Sequence, residues 1–182
     1  MGYKTTTDPF ILRGETNMTI TGTSGADTAE IDTSLDTLNR EVLLIWEVDI
    51  QGGSFPILAN QGIAAGATLE SLSIHDSVQT ATGALNLNDT DYISGLNTVF
   101  FGGGPSQVFG VQENKNPDSR EFSSRDRIPL AIITDSTIIV RSGFSSTVGF
   151  ATSEAYNARF RIMAQRAKAD ADTYAALVTG LL

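Results

Sequence analysis

The stretch REVLLIWEVDIQG at residues 40–52 constrains the fold most, because apolar and other residues alternate along it. Successive side chains of a β-strand point to opposite faces. One face of this stretch would be wholly apolar: Val42, Leu44, Trp46, Val48 and Ile50. The opposite face is apolar in its middle and acidic at its ends, which suits a strand that is covered on both sides at its centre. The pattern predicts a central β-strand around which the other strands are laid.

Further short segments are rich in β-prone residues and are separated by Gly, Asn, Asp and Pro. We predict strands at residues 69–78, 98–101, 107–112, 128–133, 138–141, 144–150 and 158–167. The fourth and fifth of these flank the turn sequence TDST and are expected to form a β-hairpin. A short helical turn is expected within residues 86–96, and Asp170 is expected to cap a C-terminal helix. This order favours an all-β fold, an antiparallel β-sandwich or barrel with a short C-terminal helix.

The polar faces of two predicted strands lead to specific expectations. In residues 69–78, Ser73 and His75 share the face opposite Leu72 and Ile74, so this strand is expected to have one solvated face and an exposed histidine. In residues 158–167, Phe160, Ile162 and Ala164 are expected to point inward, with Arg159, Arg161 and Gln165 outward. If this strand pairs with residues 40–52, its arginines are expected opposite Glu41, Glu47 or Asp49.

Three parts are predicted along the chain: an extended N-terminal arm over residues 1–39, a β-sandwich domain over residues 40–168 and a C-terminal helical tail over residues 169–182. The arm is rich in Thr, Ser, Gly and Asp and has few apolar residues, so it cannot bury much alone. It is expected to add edge strands at residues 10–12 and 18–21 to this molecule or to a neighbour, and a frayed terminus is the alternative. The tail has an apolar stripe that is expected to dock on its own sandwich or on a neighbour.

Composition excludes several classes of function. The chain of 182 residues suits one domain, and the absence of cysteine rules out disulfides and thiolate metal sites. With 21 acidic and 12 basic residues, the formal charge of -9 disfavours direct binding to nucleic acid or to an anionic membrane. No run of about 18 apolar residues is present, so no membrane span is expected.

No catalytic, cofactor-binding or metal-binding residue is assigned. His75 is the only histidine, and its neighbours Ile74 and Asp76 would point to the other face of a strand, so a Ser-His-Asp triad is not expected there. The carboxylates of the 40–52 strand are interpreted as ion pairs at the rim of a sheet. Acidic and amide residues at positions 86–91 lack the glycine and the glutamate of a calcium loop.

The order of these stretches resembles the single jelly-roll capsid proteins of icosahedral viruses. The resemblance rests on an arm through Asn39, the strand REVLLIWEVDI, the segment IPLAIITDSTIIV, the closing strand ARFRIMAQR and the tail ADTYAALVTGLL. It implies a jelly-roll sandwich and a self-assembling shell subunit that is soluble in the host cell before assembly and then located in the virion. Copies of the chain are the expected partners. Arm and tail would supply the subunit interface: Phe10, Ile11, Leu12, Tyr174, Leu177, Val178 and Leu181.

One departure from the capsid family concerns charge. The arm region holds only Lys4, Arg13 and Arg40 as basic residues, whereas many capsid proteins that package nucleic acid have a basic arm. No direct nucleic-acid binding is therefore expected, and a second shell protein or a membrane would neutralise the genome. The alternative function is a carbohydrate-binding or adhesive β-sandwich module, with Tyr92 and Tyr156 as candidate contacts. An enzyme is the third hypothesis and rests only on unplaced carboxylates.

Overall fold

The structure is a computed structural model that describes residues 2–52, 66–76, 92–102, 108–116 and 129–179. Within these ranges the chain forms eight β-strands, a 3-10 turn and one α-helix. The strands are β1 (Tyr3–Thr5), β2 (Phe10–Asp32), β3 (Glu41–Gln51), β4 (Gly66–His75), β5 (Tyr92–Gly102), β6 (Val108–Asn116), β7 (Ala131–Ile133) and β8 (Thr137–Ala169). The 3-10 turn spans Thr37–Asn39, and the helix α1 spans Ala171–Val178. The prediction of an all-β, antiparallel fold with a short C-terminal helix is confirmed.

The strand on which the sheet is organised is β8, so the prediction that residues 40–52 hold the central position is wrong. β8 is 33 residues long and pairs antiparallel with β2 along nearly all of its length. On its other side β8 pairs with β4 near its start and with β3 near its end. The hydrogen-bonded order is β6-β5-β4-β8-β3-β7, with β1 and β2 also paired to β8. A single long strand therefore belongs to both halves of the molecule.

The ribbon of β2 and β8 bends near Gly22, which has φ +63°, and the β2–β8 register shifts on both sides of this glycine. The bend brings the two ends of the ribbon face to face. A Cβ atom on Gly14 would lie 2.6 Å from Ile31 Cδ1 and 3.1 Å from Val140 Cγ2, although these residues belong to the other end of the ribbon. The first layer thus contains β7, β3 and one end of the ribbon. The second layer contains β6, β5, β4 and the other end.

The main hydrophobic core lies between the two layers. Both ends of β2 and β8 contribute to it, together with the inward faces of β3, β4 and β5. Its largest fully buried side chains are Met18, Ile20, Leu43, Ile45, Leu72, Ile74, Ile133, Ile138, Phe160 and Ile162. The predicted inward face of the last strand is confirmed, because Phe160, Ile162 and Ala164 are buried whereas Arg159 and Arg161 are exposed.

A second cluster lies on the outer face of the first layer and explains why β3 is apolar on both sides. Val42 and Leu44 of β3 are fully buried there beside Ala167 and Ala169 of β8. The β3–β8 register shifts between Ile45 and Glu47. Because a bulge adds one residue to a strand, the side chains after it point to the opposite face from the one that simple alternation predicts. Val42 and Leu44 therefore face outward under α1, whereas Val48 belongs to the core, and the single apolar face predicted for them is wrong.

Two local predictions are wrong in the described residues. Residues 131–133 form β7, which pairs with β3 and not with the start of β8, so the expected hairpin does not form. Residues 134–136 instead connect the first layer to the second, where β8 begins between β2 and β4. Tyr92, Ile93 and Leu96 belong to strand β5 and not to a helical turn, and residues 86–91 lie outside the described residues. Cross-strand pairing with β4 and β6 outweighs the weak local helix signal.

The N-terminal region is an integral part of the sandwich. The expected edge strands at residues 10–12 and 18–21 are confirmed as strand and belong to one strand of 23 residues. Met18, Ile20 and Ile31 of this strand are buried in the core. Strands β1 and β2 of the predicted arm therefore belong to the same hydrogen-bonded sheet as the strands of the region predicted as the sandwich domain.

Candidate assembly surface

The outer edge of β2 is the most extended unpaired backbone among the described residues. β2 pairs with β8 on one side, and no described strand pairs with its other side. The backbone N–H of Asn17 donates a 2.6 Å hydrogen bond to Asp27 Oδ2, so it points away from β8. In an antiparallel strand every second residue directs both its N–H and its C=O to the same side. The backbone groups of Ile11, Arg13 and Glu15 therefore also point to the open side.

Near the bend, contacts between the two halves of β2 occupy the middle of this edge. The Asp27 side chain crosses from the second half of β2 to the backbone of Asn17 in the first half. At the same place a Cβ atom on Gly25 would lie 2.8 Å from the carbonyl oxygen of Thr19, so the two halves of β2 are in close contact. The part of the edge that stays open in the first layer is therefore residues 10–16.

Alternating side chains give this open segment two different faces. Phe10 and Leu12 are half-buried and pack against the main core. Ile11, Arg13 and Glu15 point to the outer face and are exposed, with Ile11 at 46%. The open segment thus presents backbone donors and acceptors together with one apolar, one basic and one acidic side chain.

Charges of both signs cross the outer face of the first layer. Arg161 lies opposite Asp49 of β3, with Nη1 3.7 Å from Oδ2, so this predicted pairing is confirmed. Arg159 lies opposite Gln51 on β3 and opposite Glu15 on β2, with Nε 4.0 Å from Glu15 Oε1. These side chains are about half exposed or more, so the pairs contribute little to stability and mainly set the charge pattern of the surface.

The C-terminal helix packs on its own sandwich in this single chain. Tyr174 and Leu177 of α1 contact the outer cluster of β3 and β8, together with Tyr3 and Trp46. Val178 is 58% exposed at the end of the helix. Of the residues predicted for a subunit interface, Phe10, Leu12, Tyr174 and Leu177 contact their own chain, Ile11 and Val178 are exposed, and Leu181 lies outside the described residues.

Hydrogen bonds join the beginning of the chain to the start of α1. Asp170 is the N-cap, and its Oδ1 accepts a 2.7 Å hydrogen bond from the N–H of Thr173. The hydrogen bond from the Thr173 backbone lowers the pKa of the Asp170 carboxyl group, with the Thr173 side chain as the next cause. Gly2 accepts from the N–H of Asp170 at 2.8 Å and donates to Thr173 Oγ1 at 3.2 Å. Both ends of the described chain therefore lie at the same end of the sandwich.

A buried polar cluster lies on β4, where the sequence predicted a solvated face. His75 is 1% exposed and Ser73 is 3% exposed, so the predictions of an exposed histidine and of a one-face-wet strand are wrong. His75 Nε2 lies 2.9 Å from Ser73 Oγ, and Tyr92 contacts the histidine edge to face at a centroid distance of 5.8 Å. Burial raises the pKa of the Tyr92 hydroxyl. The available signal was the i, i+2 spacing of Ser73 and His75, which places both side chains on one face.

The Ser73–His75 contact is the arrangement that can activate a serine nucleophile. A nucleophile must also reach its substrate, and both side chains are almost wholly inaccessible to solvent. We therefore interpret the contact as part of the packing of the second layer. The described residues contain no group of three or more His, Asp or Glu side chains that could hold a metal ion.

A buried acidic residue lies where the two layers meet. Glu70 of β4 is 3% exposed, and Tyr156 of β8 is 2% exposed. A Cβ atom on Gly52 would lie 2.6 Å from both Glu70 Oε1 and the Tyr156 hydroxyl oxygen. Because Gly52 has no side chain, these two oxygens can occupy the space beside its Cα atom.

In the part of the chain that the structure describes, no helix is long and apolar enough to cross a membrane. No protein-family model and no curated protein sequence matches this chain.

Proposed function

We propose that this chain is a structural subunit that assembles with copies of itself into a shell, as viral capsid proteins do. The observation that carries the proposal is the open edge of β2 at residues 10–16. Proteins normally cover such an edge or blunt it with charged side chains, lysine above all, with proline or with a bulge, because it readily pairs with another chain. Residues 10–16 contain neither lysine nor proline, their two charged residues have opposite signs, and the bulges of β2 lie beyond them.

The architecture supports a building-block role in two further ways. The two-layer sandwich is held by a core that runs along both ends of β2 and β8, which suits a rigid unit. The described chain also presents half-buried apolar side chains on α1 and an exposed Val178 at the end of this helix. In a shell, this end and the β2 edge would contact different neighbours.

The proposed setting follows the charge of the chain. A formal charge of -9 and a β2 segment with Arg13 as its only basic residue argue against direct contact with a packaged nucleic acid. We propose that the chain is located in the virion and that its partners are copies of itself. A second shell protein would then neutralise the charge of the genome.

The alternative of a carbohydrate-binding or adhesive module has lost one of its two candidate contacts. Tyr156 is buried in the core, where it cannot stack on a sugar. Tyr92 is half-buried and contacts His75. The described residues offer no other observation that favours a ligand-binding function over assembly.

Light scattering of the untagged protein, followed by negative-stain electron microscopy of the same sample, tests the proposal. Rings, capsomers or closed shells are the expected result. A monomer at all practical concentrations would overturn the assembly function. Binding of that monomer on a glycan array would instead establish the alternative.

A further inference from the structure

We propose that β2 pairs with β2 of a second copy, antiparallel across a two-fold axis at Gly14, with Arg13 of each copy opposite Glu15 of the other. The inference rests on the proposed function, because it names one contact through which the subunits would assemble. It would join the first layers of two copies into one continuous sheet.

The direction of the backbone groups provides the first step. Because Asn17 donates to Asp27 on the open side of β2, the N–H and C=O groups of Ile11, Arg13 and Glu15 also face that side. Two such edges can form a ladder only if these odd-numbered residues lie opposite one another. Registers that place an odd-numbered residue opposite an even-numbered one would leave the backbone groups without partners.

Charge then distinguishes the registers that remain. An axis at Arg13 would place the two arginines opposite each other, and an axis at Glu15 would do the same with the two glutamates. Like charges directly opposite are destabilising, whereas opposite charges are favourable. An axis at Gly14 gives two Arg13–Glu15 pairs and no like-charged pair. Among the registers that match the backbone groups, only this one is complementary in charge across the open segment.

The position of Gly14 suits the axis. Across it the two glycines would form a pair without mutual hydrogen bonds, in which strands bring their Cα atoms to about 4.5 Å. Glycine has no side chain to interfere there. The core of the same chain leaves no room for a side chain at this position, since a Cβ atom on Gly14 would lie 2.6 Å from Ile31 Cδ1. The ladder would end where Asp27 occupies the N–H of Asn17.

The second half of β2 is a poor candidate for the same pairing. Its charged residues are all acidic: Asp27, Glu30 and Asp32. Antiparallel self-pairing there would bring only negative charges together across the axis. The first half is therefore the part of the edge that fits a second copy.

The test compares the wild type with Arg13→Glu, Glu15→Arg and the double variant that exchanges the two charges, by sedimentation velocity and light scattering. Each single variant should weaken the contact at least 10-fold, because it creates two like-charged pairs, and the double variant should restore it. Glu47→Arg is the matched control, since Glu47 is exposed on the same face but lies two strands away from the edge, opposite Met163 and not opposite Arg13. It should assemble as the wild type does.

The chain has no cysteine, so engineered thiols test the register independently. A mixture of Arg13→Cys and Glu15→Cys proteins should form a disulfide-linked heterodimer under mild oxidation. Directly opposite residues of a hydrogen-bonded pair lie about 5.5 Å apart at Cα, within the range of a disulfide. Each cysteine variant alone should cross-link at least 10-fold less, and this readout does not require the charge variants to fold.

The outcomes separate the two proposals. A monomeric wild type would overturn both the assembly function and the pairing. A wild type that assembles, with single charge variants that assemble equally well or a double variant that stays dissociated, would overturn the pairing and leave the shell function standing. Equal cross-linking in the mixture and in the separate cysteine variants would also overturn the register.

Discussion

The Asp27 carboxylate accepts a 2.6 Å hydrogen bond from the backbone N–H of Asn17, and the two residues lie on opposite sides of the bend in β2. The bond holds together two halves of one strand that belong to different layers. It also provides an internal partner for a backbone group at the edge of the sheet. Asp27 therefore connects the geometry of the bend to the place where the open edge begins.

Replacing Asp27 with alanine should expose that edge. We expect hydrogen exchange at the Asn17 amide to accelerate at least 10-fold, and the free energy of unfolding to fall by about 1 kcal/mol, the typical contribution of one hydrogen bond. Exchange measured by NMR and urea unfolding would provide the two values. Glu30→Ala, an exposed acidic residue on the same strand, is the control and should change neither. Unchanged exchange at Asn17 in the Asp27 variant would refute the proposed role.

Gly22 should tolerate a side chain poorly because of its backbone conformation alone. Its φ of +63° is unfavourable for other residues, yet a Cβ atom there would meet nothing within 4 Å. Gly22→Ala should lower the free energy of unfolding by about 1 kcal/mol, and Gly22→Asn should cost less, since asparagine adopts this conformation more readily. Thermal and urea unfolding would measure both. Equal stability of the alanine variant and the wild type would contradict the bend geometry.

The docking of α1 can be followed through Trp46, the only tryptophan, which packs in the same cluster as Tyr174 and Leu177. Leu177→Ala should reduce the stability of the docked helix by about 1–2 kcal/mol, because a half-buried apolar side chain is lost. Trp46 fluorescence should shift to longer wavelength as the helix detaches. Val178→Ala is the matched control, since Val178 is 58% exposed, and its spectrum should match the wild type. Equal spectra for all three proteins would contradict the docking of α1 beside Trp46.

Acid should weaken the start of α1. The pKa of Asp170 is lowered from its ordinary value of 3.8, first by the hydrogen bond from the Thr173 backbone. A lowered pKa in the folded state means that the charged form stabilises the fold above the unfolded value and that this contribution disappears as the pH falls below 3.8 through the folded value. The difference in stability between wild type and Asp170→Asn should therefore be constant near neutral pH and shrink toward pH 3. A difference that stays constant from neutral pH to pH 2 would contradict the assignment.

The Ser73–His75 contact should appear as coupling between two substitutions. Ser73→Ala and His75→Ala should each destabilise the protein, and the double variant should lose about 1 kcal/mol less than the sum, because the two side chains contact each other. Ser142→Ala is the control, since Ser142 is buried on the opposite face of the second layer and should be additive with His75→Ala. A strictly additive Ser73–His75 cycle would show that the contact is not energetically significant.

The alternation of β3 was enough to predict a strand but not its position in the sheet. Residues 40–52 carry more apolar side chains than any single face needs, which indicated cover on both sides. The bulge between Ile45 and Glu47 then assigned Val42 and Leu44 to one side and Val48 to the other. No local pattern reveals a bulge before the partner strand is known, since it is a mismatch between two strands.

The buried polar cluster on β4 was missed for a related reason. Ser73 and His75 alternate with apolar residues, as in a strand with one solvated face. Whether that face meets water depends on what the rest of the chain places over it. Alternation therefore identified the strand and the sharing of one face, but it could not report the burial of His75.

The sequence by itself determined the all-β class, most of the strands, the inward face of residues 158–167 and the capped helix at Asp170. These features depend on side-chain periodicity and capping, which act over a few residues. Only the tertiary structure decided that β8 is the central strand, that β2 runs along it in both layers and that residues 10–16 form an open edge. Strand pairing joins residues more than 100 positions apart, such as Arg13 and Arg161, so it depends on how the whole chain closes on itself.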